Sequence, residues 1–231
     1  MTKKILVVLH QEHSTPGRVG PMLRERGYCL DIRKPRFGDP LPETLDDHAG
    51  AIYFGGPMSA NDSDDFIKYE TDWLAVPLKE QAPYLGICLG AQMLARHIGG
   101  TVGSHPEGHV EIGYRPLEVT PEGAAMMDWP ETVYHWNREG FEVPDSATLL
   151  AKGDIFSHQA FSYGPAAFGI QFHSELTLAM MHRWTVLGAP RLEYPMAQSR
   201  REHLDGRALH DAETLKWLNN FIDIWLDTDE R

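Results

Sequence analysis

Over residues 1–100 of this chain, short unbroken apolar runs alternate with helical spacings. Lys4–His10 and Gly50–Phe54 are apolar runs of strand length, which predicts strands buried on both faces. Between them, Pro21–Arg26 reads as a helix closed by Gly27, and Tyr28–Ile32 as a further strand. The polar cluster Asn61–Asp64 predicts a helix start. The helix should run from about Asp65 toward Lys79, with Phe66, Tyr69, Trp73 and Leu74 near one face and Pro77 kinking or ending it. Tyr84–Ile87 is then a short buried strand, and Leu89–His97 a helix stopped by Gly99-Gly100. Alternation of this kind predicts a parallel sheet with helices on both faces.

From Thr101 the pattern changes. Val110–Thr120 and Thr132–Trp136 alternate as half-buried strands, with a short helical stretch near Ala124–Met127 between them. Phe161–Tyr163 and Ala167–Phe172 flank a Gly164-Pro165 turn and predict a hairpin. Leu176–Thr185 and Asp211–Leu226 read as helices, and in the second Leu215, Leu218, Ile222 and Trp225 form an amphipathic stripe. Gly188–Gly206 is rich in proline and charge and has no assignable element. The expected fold is α/β and three-layered: a mostly parallel, mixed central sheet with helices on both faces, in one domain over residues 1–231.

The 231 residues suffice for a sizeable core. A formal net charge of −12 argues against a dedicated nucleic-acid binder or a membrane-surface protein, despite an excess of basic residues over residues 1–37. Cys29 and Cys88 are no disulfide framework and fit a reducing compartment. The apolar run at Ile5–Leu9 is too short for a signal-peptide core, and no run reaches transmembrane length. A soluble cytoplasmic protein is the expectation.

Candidate chemistry begins at Gly86-Ile87-Cys88-Leu89-Gly90. Gly-x-Cys-x-Gly between a buried strand and a helix is the thiol form of a nucleophile elbow. Its glycines allow a tight turn, and the helix start aims free N–H groups at the sulfur, which favours thiolate. Cys29 has no such frame and reads as core. His173 and Glu175 lie two apart at the end of a strand, so both side chains point to one face. A carboxylate so placed orients the imidazole, and the imidazole serves as base for the thiol. Strand ends on one edge of a parallel sheet are where α/β sites collect. Backbone N–H groups of Leu89 and Gly56 are candidate oxyanion donors. His105 and His109 are four apart, but Pro106 and Gly108 exclude the helix that a metal pair at this spacing would use, so no metal site is expected. No Gly-x-x-x-x-Gly-Lys phosphate cradle is present; no cofactor is expected, and ATP chemistry would belong to another chain.

Gly86–Gln92, Gly55-Gly56-Pro57 and Gln171-Phe172-His173-Ser174-Glu175 together resemble class I glutamine amidotransferases, in that family's order and spacing, over residues 45–180 and more weakly to the N-terminus. Glu111-Ile112-Gly113 and Val133–Asn137 are similar to the branch around the glutaminase domain of GMP synthase. The resemblance implies that Cys88 attacks the side-chain amide of glutamine, with His173 as base then acid and Glu175 as its orienter. It implies an oxyanion hole at Gly56 and Leu89, and substrate contacts from Gly55, Gln92 and the backbone at Trp136 and Asn137. Ammonia would pass to a separate synthetase or acceptor protein. Two positions depart from the family pattern: Ser174 stands where proline is usual, and His135–Glu139 lacks a His-x-Asp pattern. The alternatives are a γ-glutamyl hydrolase or peptidase acting on a larger γ-glutamyl compound, and a non-catalytic regulatory or binding subunit.

Overall fold

The computed structural model describes residues 3–226. Its framework is an eight-stranded mixed sheet. β1 (Lys4–Val8), β2 (Cys29–Arg33), β3 (His48–Tyr53) and β4 (Tyr84–Ile87) all run parallel, in the order β2-β1-β3-β4. Helices α1 (Val19–Glu25), α2 (Asp65–Trp73), α3 (Ala75–Glu80) and α4 (Leu89–His97) connect or follow them. The break between α2 and α3 falls at Leu74 and not at Pro77, which sits in the first turn of α3, where its missing N–H costs nothing.

The half beyond β4 departs more from expectation. The run over residues 110–120 is two strands because it changes partners: the Leu117 N–H still donates to the Glu131 carbonyl, whereas Glu118 and Val119 pair with Lys152 and Ala151. β5 (Thr101–Ser104) and β6 (Glu111–Pro116) leave the main sheet, and β7 (Glu118–Val119) is its far edge. Helix α5 (Pro121–Met126) is capped by the Thr120 hydroxyl. β8 (Thr132–Asn137) pairs with β6, and β9 (Glu139–Glu142) with β5, as two separate antiparallel ribbons. β10 (Thr148–Lys152), β11 (Ala160–Tyr163) and β12 (Ala167–Ile170) complete the main sheet in the order β4-β12-β11-β10-β7. β12 returns parallel to β4, whereas β11, β10 and β7 add antiparallel. The predicted hairpin is β11–β12.

Two helices follow. α6 (Leu178–Leu187) starts two residues later than its apolar pattern suggests, because the Thr177 hydroxyl caps it through the Met180 N–H. α7 (Arg200–Leu226) is eleven residues longer at its start than the stripe from Asp211 indicates. That first part buries His203, and half-buried Gly206 admits the Tyr114 ring against the helix backbone. It has no aliphatic stripe to read.

Strand alternation sorts the core into two layers. Ile5, Val7 and Leu9 face α1 and the Trp217–Phe221 stretch of α7. Leu6 and Val8 face the other way, against Ile67, Trp73 and the buried side of α4. β4 thus lies at the centre of the sheet, covered on both faces, and its C-terminal end opens at the same edge as those of β3 and β12. Cys29, expected in the core, is exposed at the start of the edge strand β2. Among the described residues, no helix is long and apolar enough to cross a membrane.

Candidate active site

Cys88 stands between β4 and α4 with φ 52° and ψ −105°, a conformation that L residues seldom adopt. Its N–H donates to the Ile170 carbonyl at 2.8 Å, which ties the turn to β12. The flanking glycines are needed for packing. A Cβ on Gly86 would lie 2.5 Å from the backbone of Gly90, and one on Gly90 would strike the Tyr53 carbonyl. The turn is therefore wedged between β3 and its own helix, and the strained thiol-bearing residue is held by its surroundings.

Three residues beyond β12, His173 is fixed from several sides. Its N–H donates to the Tyr134 carbonyl at 2.7 Å, and its ring meets Trp184 edge-on with centroids 4.8 Å apart. Nδ1 lies 2.8 Å from Glu175 Oε1, and both residues are almost completely buried. Gly55 packs against both the imidazole and the Cys88 side chain: a Cβ there would sit 2.8 Å from His173 Cε1 and 3.4 Å from Cys88 Cβ. Burial disfavours the charged imidazole. The Glu175 carboxylate, and after it the Cys88 sulfur, outweigh that cost and raise the His173 pKa to about 10. Glu175 is pinned in turn by the Arg18 N–H, which donates to its carbonyl at 3.0 Å. The Ser174 hydroxyl between them is buried without a hydrogen-bond partner among the described residues.

Gly55, Gly56, Cys88, Trp136, His173 and Glu175 line one open cavity of about 530 Å³. Leu89, Gln92 and Asn137 are buried and do not line it. The Gln92 amide donates to the Glu139 carbonyl at 2.9 Å and to Gln171 Oε1 at 3.1 Å. The Asn137 amide donates to the same carbonyl and to the Glu111 carboxylate. Gln159 donates to the other Glu111 oxygen at 2.7 Å. These groups make a buried polar belt, and the side chains of Gln92 and Asn137 do not face the cavity. Beside the belt, burial first, and then the nearby charge of His173, lower the His135 pKa.

Much of the remaining wall carries no motif. The loop Gln11–Thr15 after β1 lines it, as do Arg183, Trp184 and Leu187 of α6 and Arg191 of a 3-10 turn over Ala189–Glu193. That turn belongs to the stretch that the sequence pattern left unassigned. The loop after β5 forms no helix, but it still brings ligand atoms of His105, Glu107 and His109 within 4.8 Å of one another. The absence of a helix is therefore not the bar to metal donors that the spacing implied. This exposed group lies outside the cavity.

The family description "Glutamine amidotransferase class-I" matches residues 19–184. The chain belongs to that family. As a class I glutamine amidotransferase relative, it superimposes on a Thermotoga maritima glutamine amidotransferase with a TM-score of 0.88 at 27% identity, covering 99% of this chain and 100% of that one. A glutamine amidotransferase from Methylobacillus flagellatus gives the same TM-score at 25% identity, with 98% and 94% covered. In sequence, the chain is 29% identical over 185 residues to the glutamine amidotransferase-like protein YfeJ of Salmonella typhimurium, spanning 76% of this chain and 77% of YfeJ. It is 31% identical over 182 residues to the GMP synthase of Aeropyrum pernix, 75% of this chain but only 34% of that enzyme's length. Gamma-glutamyl peptidase 5 of Arabidopsis thaliana is 32% identical over 144 residues, 59% of this chain and 57% of the peptidase. The family match begins at residue 19, well before the region around residue 45 where the motif likeness is strongest.

Proposed function

We propose that this chain is a cysteine-dependent amidohydrolase that cleaves the side-chain amide of glutamine through a γ-glutamyl thioester on Cys88. The Cys88 sulfur attacks the γ-carbonyl carbon, forming the C–S bond. The C–N bond then breaks, and His173, held protonated beside Glu175, gives its proton to the departing nitrogen, which leaves as ammonia. Water next attacks the thioester with His173 taking its proton. Glutamate leaves, and the proton returns to the thiol–imidazole pair. The N–H groups of Gly56 and Leu89 serve the oxyanion; Leu89 is the first residue of α4, so it has no carbonyl one turn behind it within that helix. Trp136 and Gly55 form the adjoining substrate wall, and Asn137 and the amide of Gln92 support it from the buried belt. The observation that carries this reading is the convergence of the strained Cys88, the Glu175-paired His173 and Gly55 at the edge of one cavity.

The likeness to GMP synthases supports a separate synthetase or other acceptor as the destination of the ammonia. A second reading uses the same thioester on a larger γ-glutamyl compound. The open cavity and the likeness to a γ-glutamyl peptidase favour it. Wild-type protein and Cys88→Ala, each offered glutamine and γ-glutamyl dipeptides, test both. Release of ammonia from glutamine, lost in Cys88→Ala, supports the first reading. Turnover of dipeptides alone supports the second. Hydrolysis that persists in Cys88→Ala contradicts both.

A further inference from the structure

The cavity wall carries a charge pattern at odds with the rest of the chain, whose formal net charge is −12. The ionisable groups lining it, besides Cys88 and His173, are Arg36, Arg183, Arg191, Glu12, Glu175 and His13. Two of these are already engaged. Arg36 lies over the Phe37 and Phe66 rings, at 5.7 and 5.8 Å from their centroids, and Glu175 holds His173. His13 is exposed and faces Glu12 at 3.9 Å, a contact of little strength.

What remains is one carboxylate, Glu12, and two guanidinium groups, Arg183 and Arg191. Among the described residues, neither arginine side chain has a hydrogen bond or an ion pair. Arg191 is half-buried, and burial followed by the charge of Arg138 lowers its pKa from the usual arginine value. It lines the same cavity as Cys88. A partly desolvated, unpartnered guanidinium in a substrate cavity is suited to accept a carboxylate through its two-pronged geometry.

Glutamine itself has one carboxylate and one ammonium group. Against one free carboxylate and two free guanidinium groups it leaves a cation over. A γ-glutamyl amino acid or peptide has two carboxylates and one ammonium group, one carboxylate for each of the two unpartnered guanidinium groups. We propose that Arg183 and Arg191 are specificity-determining residues that read a second carboxylate, on the leaving-group side of a γ-glutamyl substrate. The cavity then selects γ-glutamyl amino acids or short peptides over glutamine. This rests on Cys88 attacking a γ-glutamyl carbonyl, and identifies which such compounds gain.

The test compares γ-glutamylglycine with γ-glutamylglycinamide, which differ only in the leaving-group carboxylate, alongside glutamine. In the wild type, kcat/KM should favour the acid over the amide by about tenfold or more, the worth of one charge-assisted contact. Arg191→Ala should lower that ratio, and Arg183→Ala/Arg191→Ala should bring it near unity; Arg191→Lys should restore part of what Arg191→Ala loses. Binding of the same pair to Cys88→Ala, measured by calorimetry, reads the preference without any chemistry. Equal kcat/KM or equal affinity for acid and amide in the presence of both arginines, or no binding of either, overturns the inference. Glutamine hydrolysis that is lost in Cys88→Ala, together with equal kcat/KM for γ-glutamylglycine and its amide in the wild type, leaves the proposed function standing while this inference falls. A preference for the acid in binding, without turnover of any substrate, overturns the proposed function and with it the substrate selection inferred here, while leaving the two arginines as a carboxylate site.

Discussion

At the scale of single residues, Cys88 sits in a backbone conformation that costs on the order of 1–3 kcal/mol for a residue with a Cβ. Cys88→Gly should therefore unfold at higher denaturant than Cys88→Ala, by about 1 kcal/mol, although both lack the thiol. Equal midpoints would show that the turn is relaxed. The two cysteines give a second check, because Cys29 is exposed and Cys88 is buried. If exposure alone governed reactivity, iodoacetamide would label Cys29 first. A thiol activated beside a protonated histidine should label faster at neutral pH despite its burial, as peptide mapping over time would show. Ser174 offers a stability test: its buried hydroxyl lacks a partner among the described residues, so Ser174→Ala should hold or raise the melting temperature. Cys88, His173 and Glu175 were legible in the sequence because each sits in a local pattern of strand, turn and spacing. Arg191 was not, since one arginine on a short 3-10 turn leaves no periodic trace. Cys29 is exposed where the core was expected because β2 is an edge strand on which no residue is fully buried.

At the scale of elements, the site depends on β4, its turn and α4 approaching β3 more closely than side chains allow. Gly90→Ala drives a methyl group into the Tyr53 carbonyl, so the turn or β3 must move. It should cost about 1–3 kcal/mol in stability and lower activity as well, which denaturation and assay of the same sample would show. A variant at wild-type stability and activity would contradict the packing described here. The parallel half of the sheet was readable because unbroken apolar runs and helical spacings alternate there. In the second half β8 and the β11–β12 hairpin were readable, but the remainder was not, for three physical reasons. β5 with β9 and β6 with β8 pair as ribbons outside the main sheet, which strand patterning cannot reveal. β10 is a short strand between loops. The start of α7 buries a histidine and packs a glycine on the Tyr114 ring where a stripe would have leucines. Gln92 and Asn137 follow from this arrangement, since β6, β8 and β9 bring their amides together in the buried belt and turn them from the cavity.

At the scale of the whole molecule, the raised pKa of His173 links folding to pH. The group binds its proton more tightly when folded, at about 10, than at its ordinary value of 6.5. Above 6.5 the unfolded chain holds fewer protons at this site than the folded one, so stability from the His173–Glu175 pair is complete below that pH and is lost as pH rises through about 10. The urea midpoint of the wild type should fall over that window, and that of Glu175→Gln should fall less; parallel curves would show that the pair adds no pH-dependent stability. The central claim is the covalent step on Cys88. Acid quenching during turnover of glutamine and of γ-glutamylglycine, followed by peptide mass analysis, tests it most directly. The account predicts a glutamyl adduct on the peptide that contains Cys88, lost in Cys88→Ala together with hydrolysis of both substrates. Hydrolysis at an undiminished rate in Cys88→Ala, or an adduct carried by another residue, would contradict it.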